Sequence, residues 1–195
     1  MIRDTYYLSL VTRHHVSRIT YHVSISERNP KQQVTSRANL DIVSHGIEQT
    51  RRLGAHLGKL LSPGDVVLLE GEFGSGKTTF TQGIARGLGL DSRYVNSPTF
   101  TLINEYKGGR HHLAHIDLYR LQGISDIATL GLDDYLEGRG VTVIEWPGEA
   151  APWLPEERLS VQFSHLNETK RTLRFYATGP HYAQLLTDFK RTAFG

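Results

Sequence analysis

The chain contains no cysteine among its 195 residues. That absence excludes a disulfide framework, a thiol nucleophile, an iron–sulfur cluster and a zinc site built on cysteine. No apolar run approaches the roughly 20 residues that a helix needs to cross a bilayer, so we expect no membrane-spanning segment. The net charge is only +2 with histidine neutral, which is too small to indicate nucleic-acid binding by itself.

Apolar side chains are plentiful enough for one packed domain, since hydrophobic residues make up 38% of the chain and charged residues 22%. Basic charge is concentrated at the amino terminus, where residues 1–38 hold six Arg or Lys against one Asp and one Glu. That segment has no helical periodicity, and it predicts a basic, flexible N-terminal extension. A translation start placed too far upstream and an Arg- and Ser-rich transit peptide are the alternatives.

From residue 39 onward the chain alternates between helical and strand patterns. Apolar residues from Ile47 to Leu61 recur at helical spacing, with Ser44 as a candidate cap. Further strands and helices are predicted at Val66–Leu69, Thr79–Leu88, Phe100–Tyr106, His111–Leu118, Ser125–Leu136, Val141–Ile144, Leu159–Phe163, Arg171–Tyr176 and Tyr182–Phe189. This order predicts a three-layer α/β domain with a mixed central sheet over 39–180 and a C-terminal helical tail over 181–195.

A phosphate-binding loop stands between the first buried strand and the helix that follows it. The run from Gly71 to Thr78 has the sequence GEFGSGKT and matches G-x-x-x-x-G-K-[ST] in full. Small residues let backbone N–H groups surround phosphate oxygens, and the helix start adds its positive dipole end. Lys77 brings a charge to the transferring phosphate, and the Thr78 hydroxyl can ligate Mg²⁺. The nucleotide-binding residues predicted here are Gly74, Ser75, Gly76, Lys77, Thr78 and Thr79.

The nucleotide is predicted to be ATP, bound together with Mg²⁺. GTPases usually recognise guanine with an Asn-Lys-x-Asp motif, and transporter ATPases carry a Leu-Ser-Gly-Gly signature. Neither motif occurs in the sequence. The loop itself does not name the reaction, because ATPases, GTPases and kinases all use phosphate-binding loops of this kind.

Two acidic residues follow apolar runs of strand length. Asp117 comes after LAHI, and Glu145 comes after VTVI. Ligands in such sheets gather at the carboxyl ends of the strands, so we predict that Asp117 and Glu145 bind the metal and act in catalysis together with Lys77. Either carboxylate can serve as the metal ligand or as the base. The alternative for each is a loop cap or an ion pair with Arg120.

Ser97-Pro98-Thr99 is a candidate switch segment, because the proline fixes a loop and Thr99 offers a hydroxyl to the γ-phosphate or the metal. A plain connection between a helix and a strand is the alternative. His111, His112 and His115 suggest a metal cluster at first sight. However, no fourth ligand is evident, and magnesium chemistry already accounts for the neighbouring carboxylate.

Five short segments occur together in an order typical of one protein family. They are GEFGSGKTT at 71–79, NSPTFTL at 96–102, HIDLYRL at 115–121, LGLDDY at 130–135 and VIEWP at 143–147. In these segments the chain resembles the TsaE family, also called YjeE, the P-loop ATPases needed to make threonylcarbamoyladenosine in bacterial tRNA. The resemblance covers about residues 40–180, and the last four segments are more diagnostic than the P-loop.

The resemblance implies a P-loop α/β fold with a mixed sheet. It implies that Lys77 holds phosphate, that Thr78 holds Mg²⁺, and that the acidic metal and catalytic positions are Asp117 and Glu145. Thr50 matches a threonine in the family's first helix region and is expected to lie against the nucleotide base. In this family the ATPase couples energy to the modification and does not itself transfer the threonylcarbamoyl group.

The resemblance also implies partners, TsaD and TsaB, which form the modifying enzyme. The predicted function is therefore Mg-dependent ATP hydrolysis by this chain when it is bound to the TsaD–TsaB complex, with tRNA contacted through that complex. A cytoplasmic location without a membrane is expected for that role. Ser97–Thr99 is expected to be a switch-like loop, and Trp146 matches a family tryptophan. Residues 1–38 match nothing in the family, and Phe73 stands where leucine is common.

Two other functions stay open on the sequence. A small-molecule or nucleotide kinase needs mobile arginines over the phosphates, for which Arg120 and Arg139 are the candidates near the motifs. A nucleotide-gated binding module would tolerate the loss of Glu145. A weak tRNA contact through Lys107, Arg110 and Arg120 is a further hypothesis, and its alternative is a solvated basic face.

Overall fold

The computed structural model describes residues 7–12, 15–20, 37–121 and 130–195. The strands in these ranges are β1 Tyr7–Thr12, β2 His15–Thr20, β3 Arg37–Ser44, β4 Val66–Glu70, β5 Ile103–Tyr106, β6 His112–Asp117, β7 Gly140–Glu145, β8 Arg158–His165 and β9 Arg171–Thr178. The α-helices are α1 Ile47–Leu60, α2 Lys77–Gly87, α3 Leu132–Leu136 and α4 Pro180–Phe194. Short 3₁₀ turns span Ser92–Tyr94 and Gly148–Trp153.

A seven-stranded sheet forms the centre of the protein, in the order β3-β9-β8-β4-β7-β6-β5. β4 lies in the middle and runs parallel to both of its neighbours, β7 and β8. β6 continues the parallel part beside β7, whereas β5, β9 and β3 are antiparallel to the strands that they join. The predicted α/β fold with a mixed sheet is confirmed. β1 and β2 pair with each other as antiparallel strands within the predicted extension.

Alternation along the strands divides the core into two layers. Val67 and Leu69 of β4 pack with α1, α2 and α4 on one face of the sheet. Val66 and Leu68 pack on the opposite face, in the cluster that contains Leu132 of α3. All four β4 side chains are buried, as expected for a central parallel strand that is covered on both faces. The result is the predicted three-layer arrangement.

Helices α1 and α2 approach each other closely at glycine residues. A Cβ built on Gly54 would lie 2.2 Å from the Phe80 carbonyl oxygen, and one built on Gly83 would lie 2.2 Å from the Arg51 carbonyl oxygen. A side chain of any size would therefore push the two backbones apart. This contact holds α2 against α1 directly after the phosphate-binding loop.

The C-terminal helix α4 belongs to the core. Tyr182, Leu185 and Phe189 are buried in the same cluster as α1 and α2, and the Val66 backbone N–H donates to Tyr182 Oη over 2.8 Å. Burial raises the pKa of Tyr182 to about 12. The segment predicted as a helical tail thus packs against the sheet. At the other end, β3 begins at Arg37, inside the segment predicted as the extension, and pairs with β9.

The start of α1 differs from the prediction. The helix begins at Ile47 after Gly46, and no side chain caps it. Ser44 is instead the last residue of β3, and its hydroxyl is hydrogen-bonded to Thr50 Oγ1 at 2.7 Å. The sequence alone does not distinguish a serine that caps a helix from a serine that ends the preceding strand. Only the pairing of β3 shows that Ser44 ends a strand.

The helix predicted over Ser125–Leu136 falls partly outside the described residues, which stop at 121 and resume at 130. Its described part is α3, which is five residues long. Among the helices in the described ranges, none is long and apolar enough to cross a bilayer.

Replacing Gly83 with alanine tests the contact between α1 and α2. Alanine is the better helix former by about 1 kcal/mol, so an uncrowded site would gain stability. At this site the added methyl group meets the Arg51 carbonyl oxygen, and overpacking costs about 1–3 kcal/mol or more. We expect Gly83→Ala to lower the free energy of unfolding, measured by urea titration and circular dichroism. A variant as stable as the wild type would contradict the close packing.

Candidate functional site

Strand alternation and register bring two carboxylates to the same edge of the sheet. Leu113, His115 and Asp117 share one face of β6, because successive side chains of a strand point to opposite faces. In the parallel pairing of β6 with β7, Asp117 lies opposite Glu145. Each strand ends at its carboxylate, and both residues are buried. The two acidic residues predicted from the sequence are therefore neighbours.

The phosphate-binding loop joins β4 to α2 along a tight backbone path. Gly74 and Gly76 have φ angles of 68° and 105°, in the left-handed region that favours glycine. Gly76 is the N-cap of α2, so the first backbone N–H groups of the helix have no partner within it. A Cβ on Gly71 would lie 2.5 Å from the Phe163 carbonyl oxygen of β8. Ser75 is buried, and its Oγ has no hydrogen-bond partner among the described residues.

Lys77 is folded back onto its own loop. Its Nζ donates to the carbonyl oxygens of Gly71 at 2.7 Å and Glu72 at 3.0 Å, and it lies 3.9 Å from the ring centroid of Trp146. Burial lowers the pKa of Lys77, while two nearby carboxylates act in the opposite direction. The ammonium group is thus held by neutral acceptors. A charged phosphate oxygen is a stronger acceptor than either carbonyl.

The Glu145 carboxylate joins α2 to the sheet. Thr78, in the first turn of α2, donates its hydroxyl to Oε1 at 3.0 Å and lies 3.3 Å from Oε2. On the sheet side, His115 Nε2 lies 2.8 Å from Oε1. His115 Nδ1 has no partner among the described residues, which fits the tautomer that carries its hydrogen on Nε2. The His115–Glu145 contact is the main feature of the site that the sequence did not predict.

Asp117 is held by the predicted switch segment. Ser97 Oγ donates to Oδ2 at 2.8 Å, and Thr99 Oγ1 donates to the same oxygen at 2.6 Å. The Tyr119 backbone N–H donates to Oδ1 at 3.0 Å. Thr99 therefore contacts a predicted acidic residue directly. Ser97, in the same segment, donates to the same oxygen of Asp117.

A cavity of about 370 Å³ lies among these groups; we call it the phosphate-side cavity. The predicted site residues that line it are Gly74, Gly76, Lys77, Thr78, Thr79, Thr99, Asp117 and Glu145. The lining offers carboxylate and hydroxyl oxygens together with one ammonium group. Oxygen ligands of this kind suit Mg²⁺.

A second cavity, of about 560 Å³, adjoins the same loop; we call it the α1-side cavity. It shares three lining residues with the phosphate-side cavity, namely Gly74, Gly76 and Thr79. Ile47 and Thr50 of α1 form another part of its wall. The structure thus places Thr50 apart from the carboxylates, on the opposite border of the loop, and Ser75 also lines this cavity.

Two residues of the β8–β9 hairpin contact the loop, and neither was predicted from the sequence. Arg171 donates from Nη2 to the Gly74 carbonyl oxygen at 3.3 Å and lines the α1-side cavity. His165 Nε2 lies 3.3 Å from the Phe73 carbonyl oxygen. The hairpin register sets His165 opposite Arg171, so both reach the loop from one end of the hairpin.

Three aromatic side chains cluster beside the phosphate-side cavity. The ring centroid of Phe73 lies 4.5 Å from that of Tyr119 and 5.2 Å from that of Trp146. Phe73 is 60% exposed and Tyr119 is 47% exposed. Trp146 has a φ of 57°, a conformation that costs a residue other than glycine about 1–3 kcal/mol. Strain of this size is often found at functional sites.

The basic residues considered for tRNA contact each make contacts within the protein. Arg110 donates to three carbonyl oxygens at the C-terminal end of α1. Lys107 forms an ion pair with Glu105 at 2.9 Å. Arg120 stacks on Phe100, with its guanidinium carbon 4.0 Å from the ring centroid, and no ion pair joins it to a carboxylate among the described residues.

Arg139 and His112 lie away from the carboxylates. Arg139 and His112 line a cavity at the amino-terminal ends of β6 and β7, the opposite end from Asp117 and Glu145. Over the described ranges, no three His, Asp or Glu side chains are grouped so that they could hold a metal ion. The histidine metal cluster suggested by the sequence is therefore absent, because His115 turns to Glu145 instead.

A strand, a G-x-x-x-x-G-K-[ST] loop and a helix, with carboxylates at the ends of adjacent parallel strands, define a P-loop α/β protein. Comparison with known families narrows the class. The family model described as Threonylcarbamoyl adenosine biosynthesis protein TsaE matches residues 44–173. The chain belongs to the TsaE family, and the resemblance found in the sequence is confirmed.

Curated relatives and a solved structure agree with this membership. The chain is 42% identical over 144 residues to the tRNA threonylcarbamoyladenosine biosynthesis protein TsaE of Bacillus subtilis, covering 74% of this chain and 89% of the relative. It is 40% identical over 131 residues to the TsaE protein of Treponema pallidum, covering 67% and 96%. The crystal structure of YdiB from Bacillus subtilis matches with a TM-score of 0.68 and 34% identity, covering 82% of this chain and 98% of YdiB.

Tryptophan fluorescence can report on the Lys77–Trp146 contact. The chain has two tryptophans, so Trp153→Phe leaves Trp146 as the single emitter. We expect Mg-ATP to shift the emission of this variant, because Lys77 then leaves a ring centroid that it approaches to 3.9 Å. Trp146→Phe, which retains only Trp153, serves as the matched control and should not respond. A response confined to the Trp146→Phe protein would contradict the assignment.

Proposed function

We propose that this protein is the ATP-hydrolysing subunit in the biosynthesis of threonylcarbamoyladenosine in tRNA. It binds Mg-ATP at the P-loop and hydrolyses it when docked on the TsaD–TsaB complex. TsaD and TsaB, rather than this chain, transfer the threonylcarbamoyl group, and tRNA is met through the complex. This role places the protein in the cytoplasm, where the tRNA is modified. Membership of the TsaE family is the basis for the pathway and the partners.

One observation carries the assignment of an ATPase. Lys77, Thr78, Asp117 and Glu145 come from three separate parts of the chain and line a single cavity beside the P-loop. Phosphoryl transfer needs a positive charge on the phosphates, oxygen ligands for a metal and a group that orients the nucleophile. These four side chains supply all three in one place.

Magnesium fits the oxygen donors of the phosphate-side cavity. Thr78 and the carboxylates of Asp117 and Glu145 would hold it, directly or through water. When bound, the ion neutralises charge that develops on the phosphate oxygens. Side chains and backbone groups of this chain bind the nucleotide and orient the attacking water.

The two cavities that meet at the loop bind different parts of the nucleotide. The phosphates occupy the phosphate-side cavity, where the N–H groups of the loop and the first turn of α2 surround them. The base and ribose extend into the α1-side cavity, past Ile47 and Thr50. Thr79 lines both cavities and marks the passage from one to the other.

Lys77 and Glu145 do the chemical work. Lys77 exchanges its two carbonyl partners for phosphate oxygens and stabilises the charge that develops there. Glu145 Oε1 is already occupied by Thr78 and His115. Its Oε2 has the longer contact, 3.3 Å to Thr78, and is the freer oxygen to orient the attacking water and accept its proton.

A kinase remains the main alternative, and the positions of the arginines weigh against it. Arg139 is at the opposite end of β7 from Glu145, and Arg120 is stacked on Phe100. A kinase would transfer the phosphoryl group to an acceptor, which mass spectrometry would detect. An ATPase would release free phosphate.

Complementation tests the proposed function. The resident TsaE is depleted from a bacterium, the full chain is expressed, and threonylcarbamoyladenosine is quantified in digested tRNA by mass spectrometry. The wild type should restore the modification. Lys77→Ala and Glu145→Gln should lose it, because removing one group that stabilises the transition state slows such reactions about 100-fold or more.

Glu105→Gln is the matched control for Glu145→Gln, since it neutralises a carboxylate at the far end of the sheet and should restore the modification fully. Restoration by both Lys77→Ala and Glu145→Gln would contradict the proposal. Restoration by Glu145→Gln alone would favour a nucleotide-gated binding module, because ATP would then be bound but need not be hydrolysed.

The division of ATP between two cavities predicts two separable kinetic defects. Ile47→Trp narrows the α1-side cavity and should raise the KM for ATP about tenfold, equivalent to about 1.4 kcal/mol, with kcat preserved. Glu145→Gln should lower kcat with little change in KM, because the amide oxygen of glutamine can still ligate the metal but cannot accept the proton of the attacking water. Steady-state phosphate release with TsaD and TsaB measures both. An unchanged KM in Ile47→Trp would contradict the placement of the base.

A further inference from the structure

His115 is a buried polar residue, and one contact accounts for the presence of an imidazole at this position. It is fully buried on β6, where Nε2 lies 2.8 Å from Glu145 Oε1 and Nδ1 has no partner among the described residues. An unpartnered polar atom in the interior is unfavourable. An apolar side chain of similar volume would fill the same space without that cost, so packing alone does not account for an imidazole here.

The contact decides which way the Glu145 carboxylate faces. The terminal torsion of a glutamate side chain is broad and roughly two-fold, so an isolated carboxylate would exchange its two oxygens. Here Oε1 accepts hydrogen bonds from both His115 and Thr78. Thr78 contacts both oxygens, Oε1 at 3.0 Å and Oε2 at 3.3 Å, and distinguishes them only weakly. His115 contacts Oε1 alone and therefore determines which of the two oxygens faces β6.

We propose that His115 is a positioning residue for ATP hydrolysis. Its Nε2–H holds Oε1 of Glu145, and Oε2 is thereby left directed at the phosphate-side cavity and the attacking water. This inference rests on the proposed function, in which Glu145 acts on that water. His115 does not touch the nucleotide, so its effect passes entirely through the orientation of Glu145.

A second histidine–carboxylate pair in the same protein provides a matched control. His181 Nε2 lies 2.6 Å from Asp65 Oδ1, where α4 meets the residue before β4. This pair is at the opposite end of β4 from the phosphate-binding loop. His181→Leu therefore removes the same kind of contact without reaching the site, and its kcat should equal that of the wild type.

The test compares His115→Leu, His115→Gln and His115→Asn in the full chain with TsaD, TsaB and Mg-ATP. Leucine removes the donor. The amide nitrogen of glutamine can take the place of Nε2, whereas that of asparagine lies nearer the place of Nδ1. We expect kcat to fall about 10- to 100-fold in the Leu and Asn variants, with the KM for ATP unchanged, and to recover in the Gln variant.

Thermal unfolding of each variant separates positioning from folding. If His115→Leu fails to fold, the contrast between Gln and Asn decides, since both keep a polar amide in the same space. Equal kcat in the Gln and Asn variants, a loss that appears only in KM, or an unaltered kcat in His115→Leu would overturn the inference. Absence of ATP hydrolysis in the wild-type complex would instead overturn the proposed function, so the two failures are distinguishable.

Discussion

Burial of the Glu145 carboxylate is the constraint on which the arrangement of the site depends. A carboxylate removed from water needs hydrogen-bond donors around it, and this one takes them from α2 through Thr78 and from β6 through His115. The loop, the helix and two strands must therefore be in register for the carboxylate to be accommodated. Asp117 repeats the pattern, with donors from Ser97 and Thr99.

Much of the fold could be predicted from the sequence, because strong local patterns specify it. The continuous apolar runs before Glu70 and Glu145 indicated strands covered on both faces, and the glycine-rich run between β4 and α2 matched a known loop. Position in the fold was harder to predict. The helix α4 has an ordinary amphipathic pattern, and nothing local distinguishes a tail from a helix that buries Tyr182 and Phe189 in the core.

The site was predictable in its residue types and less so in its contacts. Asp117 and Glu145 were identified because each follows a strand-like run, yet their adjacency depends on the β6–β7 register. His115 was linked by sequence to the other histidines, whereas its partner is 30 residues away. Arg171 was missed because a hairpin brings it to Gly74 from 97 residues away. Contacts of this kind are created by tertiary pairing and leave no local signal.

In the proposed reaction, water oriented by Glu145 attacks the γ-phosphate of ATP bound at the P-loop. Hydrolysis in ¹⁸O-labelled water, with the full chain, TsaD, TsaB and magnesium present, distinguishes this attack from transfer to an acceptor. Attack by water predicts that the released phosphate contains one labelled oxygen and that Glu145→Gln, although it still binds ATP, releases almost none. Phosphate transferred to an acceptor without label, or equal release by Glu145→Gln, would contradict the claim.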